Sequence, residues 1–229
     1  MLNKLNRLII SFGYRVTAAY LLHRLLQKLS KSSGCYYYYI YEQELTQHKQ
    51  AQALRAANSK LAFNWYQDFD DIHLQLPRPE SVLKERFNQK TSCVMAIQEQ
   101  EVTACAWFTE SSYQEDEVRC TFDFSHLPNH VWDYDVYVIP KYRVGRLFLR
   151  LWRQVEMYWQ DKGKTASLSR ISAFNQNSVT SHEKLGAKRL ASACFLCVGN
   201  IQLMVSSTAP YINLSCSTNS RPTIKVNLI

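Results

Sequence analysis

The sequence predicts an α+β fold: a mixed, mostly antiparallel sheet flanked by helices, preceded by an extra amphipathic helix. Two observations carry this. Hairpin-forming strands fill the middle of the chain, and after them the order runs strand–helix–strand–helix–strand. The composition supplies a core. Of 229 residues, 46% are hydrophobic and 20% charged, a balance that excludes global disorder. No apolar run approaches the length of a membrane-spanning helix.

The elements follow in order. Residues 1–33 form a basic amphipathic helix. Leu2, Leu5, Ile9, Phe12, Val16, Ala19, Leu22, Leu25, Leu26 and Leu29 recur at helical spacing, and Gly13 is a bend point. Lys4, Arg7, Arg15, Arg24, Lys28 and Lys31 face no acid in this piece. It has two readings: peripheral contact with an anionic membrane face, or packing on its own domain or on a twin chain in a homodimer. The second is preferred, because a folded domain needs cover. Cys35–Glu42, dense in tyrosine, reads as a strand. Residues 46–66 read as a helix with Ala51, Leu54, Ala57, Leu61 and Trp65 on one face. A loop follows, and Pro79 opens a short helix through Phe87. Cys93–Ile97 and Val102–Phe108 make a hairpin. Val118–Phe124 and Val131–Ile139 are further strands.

The strongest helix runs from about Gly145 to Lys162, with Phe148, Trp152, Val155 and Trp159 on one face. Ala166–Ser172 is a strand, Asn177–Leu185 a helix ended by Gly186, and Leu190–Val198 with Ile201–Val205 a closing hairpin over Gly199-Asn200. Residues 207–229 read as an edge strand or a tail. The domain proper therefore spans 34–206.

The seven cysteines are odd in number and mostly lie in apolar stretches. Cys194 and Cys197 make the one CxxC, without a second pair at zinc spacing, so no metal site is expected. Reduced core thiols suit a cytoplasmic protein. There is no Walker loop, G-x-S-x-G or H-E-x-x-H motif. The net charge of +8 is unevenly spread. Residues 1–41 hold six basic and no acidic residues, 42–135 eight against sixteen, and 136–229 thirteen against three. That partition suits an anionic cofactor and a cationic acceptor rather than nucleic acid, which needs a continuous basic surface.

The chemistry concentrates where a strand meets the strongest helix. Val138-Ile139-Pro140-Lys141-Tyr142-Arg143-Val144-Gly145-Arg146-Leu147-Phe148 delivers a chain to a helix N-terminus, where free backbone N–H groups and the positive dipole end attract anions. Arg143 and Arg146 add charge there. Val138, Pro140 and Arg143 match the V-x-P-x-x-R stretch of the GNAT acyl-CoA acetyltransferase superfamily. About thirty residues on, Asn175, Ser178, Lys184, Leu185 and Gly186 match that superfamily's second motif in register. The chain thus resembles the GNAT superfamily across about residues 90–206, and over 34–90 by element order.

The resemblance implies transfer of an acetyl or longer acyl group from acyl-CoA to an amine, on a small molecule or a protein. It implies that backbone at Val138 and Ile139 holds the acyl carbonyl and pantetheine arm. The turn Arg143, Val144, Gly145, Arg146, Leu147 and Phe148 would take the pyrophosphate, and Asn175 and Ser178 the far end of the arm. It departs from the family pattern at Arg146, usually glycine, at Phe148, usually small, and at His182, usually a tyrosine acid. An imidazole suits proton transfer near neutral pH, so His182 is the candidate general acid. Asp133 and Asp135, two apart on a strand, share a face, and Asp135 is the candidate general base for the amine. The opposing reading has both aspartates facing solvent. A fold of this kind that binds a partner or a membrane without turnover is the alternative function.

Overall fold

Tyrosine-rich sequence makes the first strand because aromatic and β-branched side chains fit a pleated, half-buried surface. In the computed structural model, which describes residues 2–45, 61–143, 146–184 and 186–228, that strand is β1, Gly34–Glu44, following helix α1, Leu2–Leu29. Next come β2 (Leu61–Tyr66), a 3-10 turn at Asp71–Gln75, α2 (Glu80–Asn88), β3 (Ser92–Gln98), β4 (Glu101–Thr109), β5 (Ser112–Gln114) and β6 (Thr121–Asp123). They are followed by β7 (His130–Val138), a 3-10 turn at Pro140–Tyr142, α3 (Leu147–Asp161), β8 (Ala166–Ser172) and α4 (Gln176–Lys184). The chain closes with β9 (Lys188–Val198), β10 (Ile201–Ser206), β11 (Ile212–Ser215) and β12 (Thr223–Lys225). No helix among the described residues is long and apolar enough to cross a membrane.

The chain divides into two units. The first comprises Met1–Gln43, Ser112–His126 and Leu168–Ile229. Its strands neighbour one another in the order β11-β10-β9-β1-β8, and a small second sheet runs β12-β6-β5. The predicted closing hairpin forms, with Ile201 opposite Val198 across the two-residue turn. Tyr38, Ile40, Phe195 and Met204 are fully buried in this unit. The C-terminal segment is no loose tail. β11 extends the sheet antiparallel to β10, and β12 pairs parallel with β6, burying Ile224 and Val226.

Helix α1 bends where the sequence expects. Gly13 has φ 74° and ψ 169°, outside the helical region and costly for any residue with a Cβ. Beyond the bend, Val16, Thr17 and Ala19 are buried, and Tyr20 and His23 pack on Phe174 at ring distances of 5.4 and 5.7 Å. The single apolar stripe expected from sequence does not exist as such: Leu22, Leu25 and Leu29 are exposed. Steps of three residues fall about 60° short of a full helical turn. The run Val16, Ala19, Leu22, Leu25 therefore drifts from the buried face to its opposite.

The second unit comprises Glu44–Ser111 and Leu127–Ser167, with strands in the order β7-β4-β3-β2. Its core is built by α3 on this sheet. Leu147, Leu151, Trp152, Val155 and Trp159 are buried against Val94, Ala96, Ala104, Ala106, Phe108 and Val131. The helix expected over 46–66 falls for its first fifteen residues outside the described residues, and its end is a strand. Leu61 pairs with Gln98 and Tyr66 with Cys93. Leu61 and Trp65 are four apart, a spacing that fits both helical and strand periods. Phe63 decides between them, because Leu61, Phe63 and Trp65 all pack on the core while Ala62 and Asn64 face out. Trp65 lies flat on Tyr158 of α3 at 3.6 Å.

The strand expected over 118–124 is shorter than read. Cys120 N–H turns back to the Val118 carbonyl, and Arg119 N–H goes to the Gln202 side chain, so pairing starts at Thr121.

Candidate functional site

The strand–helix junction lies in the second unit. Ile139 N–H donates to the Thr103 carbonyl and ties the end of β7 to β4. Pro140 fixes the backbone of a 3-10 turn, and the Arg143 Nε–H donates back to the Val138 carbonyl at 2.9 Å. Val144 and Gly145 lie outside the described residues. Arg146 precedes α3 with φ −86°, an ordinary value, so glycine is not required at this point of the turn. Among the described residues no side chain caps the helix start, and its first turn carries no acid. The N–H groups there are left for solvent or an anion, and the exposed Arg143 and Arg146 flank them. Leu147 is buried in the core. Phe148 leans on the same core, its ring stacked on Trp152 at 6.0 Å, so its bulk is turned away from the free end of the helix.

Strand β7 carries the two aspartates, and a bulge separates their fates. Asp133 sits opposite Phe108 and Tyr134 opposite Trp107, but the next paired residues are Tyr137 and Cys105. Asp135 and Val136 thus stand against Ala106 alone, with Asp135 at φ 46°. Asp133 is buried and accepts from the Ser167 hydroxyl. The reading that both aspartates face solvent fails for Asp133. Asp135 is held between two guanidinium groups. Arg78 donates through Nε at 2.9 Å and also through Nη2, and Arg86 donates through Nη1 at 2.6 Å. Arg86 is itself buried between the rings of Trp107 and Tyr134, 5.0 and 5.2 Å away. Burial pushes the Asp135 carboxyl up, but the charges and hydrogen bonds of Arg86 and Arg78 outweigh it and hold it below its usual range. A carboxylate so held is a weak proton acceptor. The sequence reading missed both arginines. Their signal was indirect: a carboxylate on a core strand needs a cation.

The second motif lies in the first unit. Asn175 is the N-cap of α4: its Oδ1 accepts the Ser178 N–H at 3.2 Å, and its carbonyl accepts the Val179 N–H. His182, one turn on, is half-buried. Its Nδ1 lies 2.8 Å from the Ser178 carbonyl, which can only accept, so Nδ1 carries a proton and donates it there. Tyr41 stands beside the imidazole at a ring distance of 6.4 Å. Its hydroxyl donates to Glu183 and accepts from Arg189, which also pairs with Glu183 at 2.7 Å. Burial, with the Glu183 charge, raises the Tyr41 phenol to about 12, although Arg189 opposes this. Glu183 is exposed and is tied into this cluster.

No family model and no curated protein match the chain. Solved structures do. The chain is similar to GNAT acetyltransferases. A tandem GNAT protein from the clavulanic acid biosynthesis pathway aligns at TM-score 0.45 and 9% identity, over 67% of this chain and 50% of its own. A conserved protein of unknown function from Staphylococcus epidermidis aligns at TM-score 0.46 and 8% identity, over 74% and 64%. An aminoglycoside 6′-N-acetyltransferase from Acinetobacter baumannii reaches 21% identity at TM-score 0.39, over 55% and 90%. The chain thus spans half the length of the tandem protein. At such identities the likeness concerns the fold alone.

Proposed function

We propose that the chain is an acyl-CoA-dependent N-acyltransferase that moves an acetyl or longer acyl group to an amine. The observation that carries this reading is the α3 N-terminus: uncapped, free of acids, flanked by Arg143 and Arg146, and entered through the Val138–Pro140–Arg143 turn. Two departures that could have closed this site are consistent with an open one. Arg146 has an ordinary backbone, and Phe148 lies on the core. In this reading the first-turn N–H groups and both arginines bind the pyrophosphate. The Val138 carbonyl and the Ile139 N–H, which the resemblance would offer to the pantetheine arm, are taken by Arg143 and by the Thr103 carbonyl. The thioester supplies the activated acyl carbon. The amine nitrogen forms the new C–N bond as the C–S bond breaks. The proton that the amine nitrogen loses goes to the departing thiolate, which leaves as CoA thiol. Asp135 anchors Arg78 and Arg86 instead of taking the amine's proton.

Calorimetry with CoA, acetyl-CoA and a longer acyl-CoA tests this. Binding is expected, and the pair Arg143→Ala and Arg146→Ala should weaken CoA at least about tenfold while leaving pantetheine, which lacks the pyrophosphate, unchanged. No binding at millimolar CoA would overturn the reading. The locked Asp135 favours a second reading, a fold of this kind that binds acyl-CoA without turnover. Release of CoA thiol with a panel of amines separates the two.

A further inference from the structure

Helix α1 has a second face that no described residue of its own unit covers. After the bend at Gly13, one side of the helix is spent on packing through Val16, Thr17, Ala19 and His23. The opposite side presents Tyr14, Ala18, Leu21, Leu22, Leu25 and Leu29, spaced as one stripe at three- and four-residue steps. These side chains are open to solvent: Leu25 is 56% and Leu29 76% exposed, and Tyr14 80%. Soluble surfaces seldom leave a row of leucines exposed on one helix without a use for it.

The charges around the stripe say what fits it. Arg15 stands seven residues before Leu22, and Lys28 seven after Leu21, so a cation borders each long side. Arg24 and Lys31 lie beyond Lys28, Arg7 lies ahead of the bend, and no acidic residue occurs in residues 1–41. A second copy of the same face would oppose cation to cation, which disfavours self-association. Nucleic acid would leave the leucines without a partner. An acyl-chain surface beneath anionic headgroups satisfies both components at once, the leucines below and the cations at the phosphate level.

We infer that the exposed face of α1, Tyr14 to Leu29, docks the protein peripherally on an anionic lipid bilayer, lying in the plane of the interface. The helix lies flat because its other side is already packed on the protein.

Co-sedimentation of the full chain with vesicles of phosphatidylcholine alone, and with a third phosphatidylserine, tests this. Pelleting is expected with the anionic vesicles, at least tenfold tighter than with neutral ones, and weakened by salt. The pair Leu25→Asp and Leu29→Asp should lose at least tenfold of that binding, with the circular dichroism spectrum and melting temperature unchanged, since neither residue packs on the fold. The pair Arg24→Gln and Lys28→Gln should weaken it several-fold. Equal binding by the leucine variant and the parent would overturn the proposal, as would absence of binding to anionic vesicles. So would a dimer in solution that the leucine changes dissolve, which would assign the face to a second copy. None of these readouts depends on acyl-CoA binding.

Discussion

At the scale of single residues, the informative groups are carboxylates whose surroundings oppose or support their charge. Glu156 sits on the core side of α3, 5% exposed, and burial lifts its pKa to about 7 although Arg153 pulls it down. The unfolded chain releases this proton near 4.5 and the folded chain near 7, so the folded state binds the extra proton between those values. Stability therefore falls as pH rises from 4.5 to 7 and stays lowered above. Glu156→Gln should stabilise the protein by about 2 kcal/mol at pH 8 and by almost nothing at pH 4. Urea unfolding at the two pH values measures this, and a gain independent of pH would contradict it. Asp135 is the opposite case. The sequence could name it as a candidate because of its place before the junction. It could not show the bulge that turns it, or the two arginines that keep it ionised.

At the scale of elements, what was legible had an unambiguous period. The α3 face Phe148, Trp152, Val155 and Trp159 has helical spacing and no competing reading; the structure buries the last three and packs Phe148, partly buried, on the same core. The β3–β4 and β9–β10 hairpins were legible from their turns. The end of the 46–66 segment misled because Leu61 and Trp65 fit two periods. Helix α1 misled because three-residue steps drift around the axis. The second motif has a local job visible only in the structure, where Asn175 caps α4. Asn175→Ala should cost about 1 kcal/mol of stability, and Asn175→Asp, which keeps an acceptor at the cap, should restore most of it. Thermal unfolding of the three proteins checks this. A loss of CoA affinity in the Asp variant at parental stability would point to a direct role for the amide.

At the scale of the whole molecule, the C-terminal segment changes status. Read from sequence it lies outside the domain, yet β11 and β12 complete the two sheets of the first unit. A chain ending at Ser206 should lose about 3–5 kcal/mol, since the unit would lose the fully buried Ile224 and the nearly buried Val226 with their strand pairings. The melting temperature of the shortened chain measures this; a change of only a degree or two would show the segment to be dispensable.

The sequence by itself determined what local chemistry determines: the amphipathic periods, the hairpin turns, the strand that meets a helix at a cationic turn, and the two motifs and their separation. Tertiary structure alone decided which apolar stripe of α1 is covered, where β7 bulges, which way Phe148 turns and what holds Asp135. The reason is distance along the chain. The groups that fix Asp135 come from positions 49 and 57 residues away, and no local pattern encodes which distant side chains a fold will bring to one carboxylate.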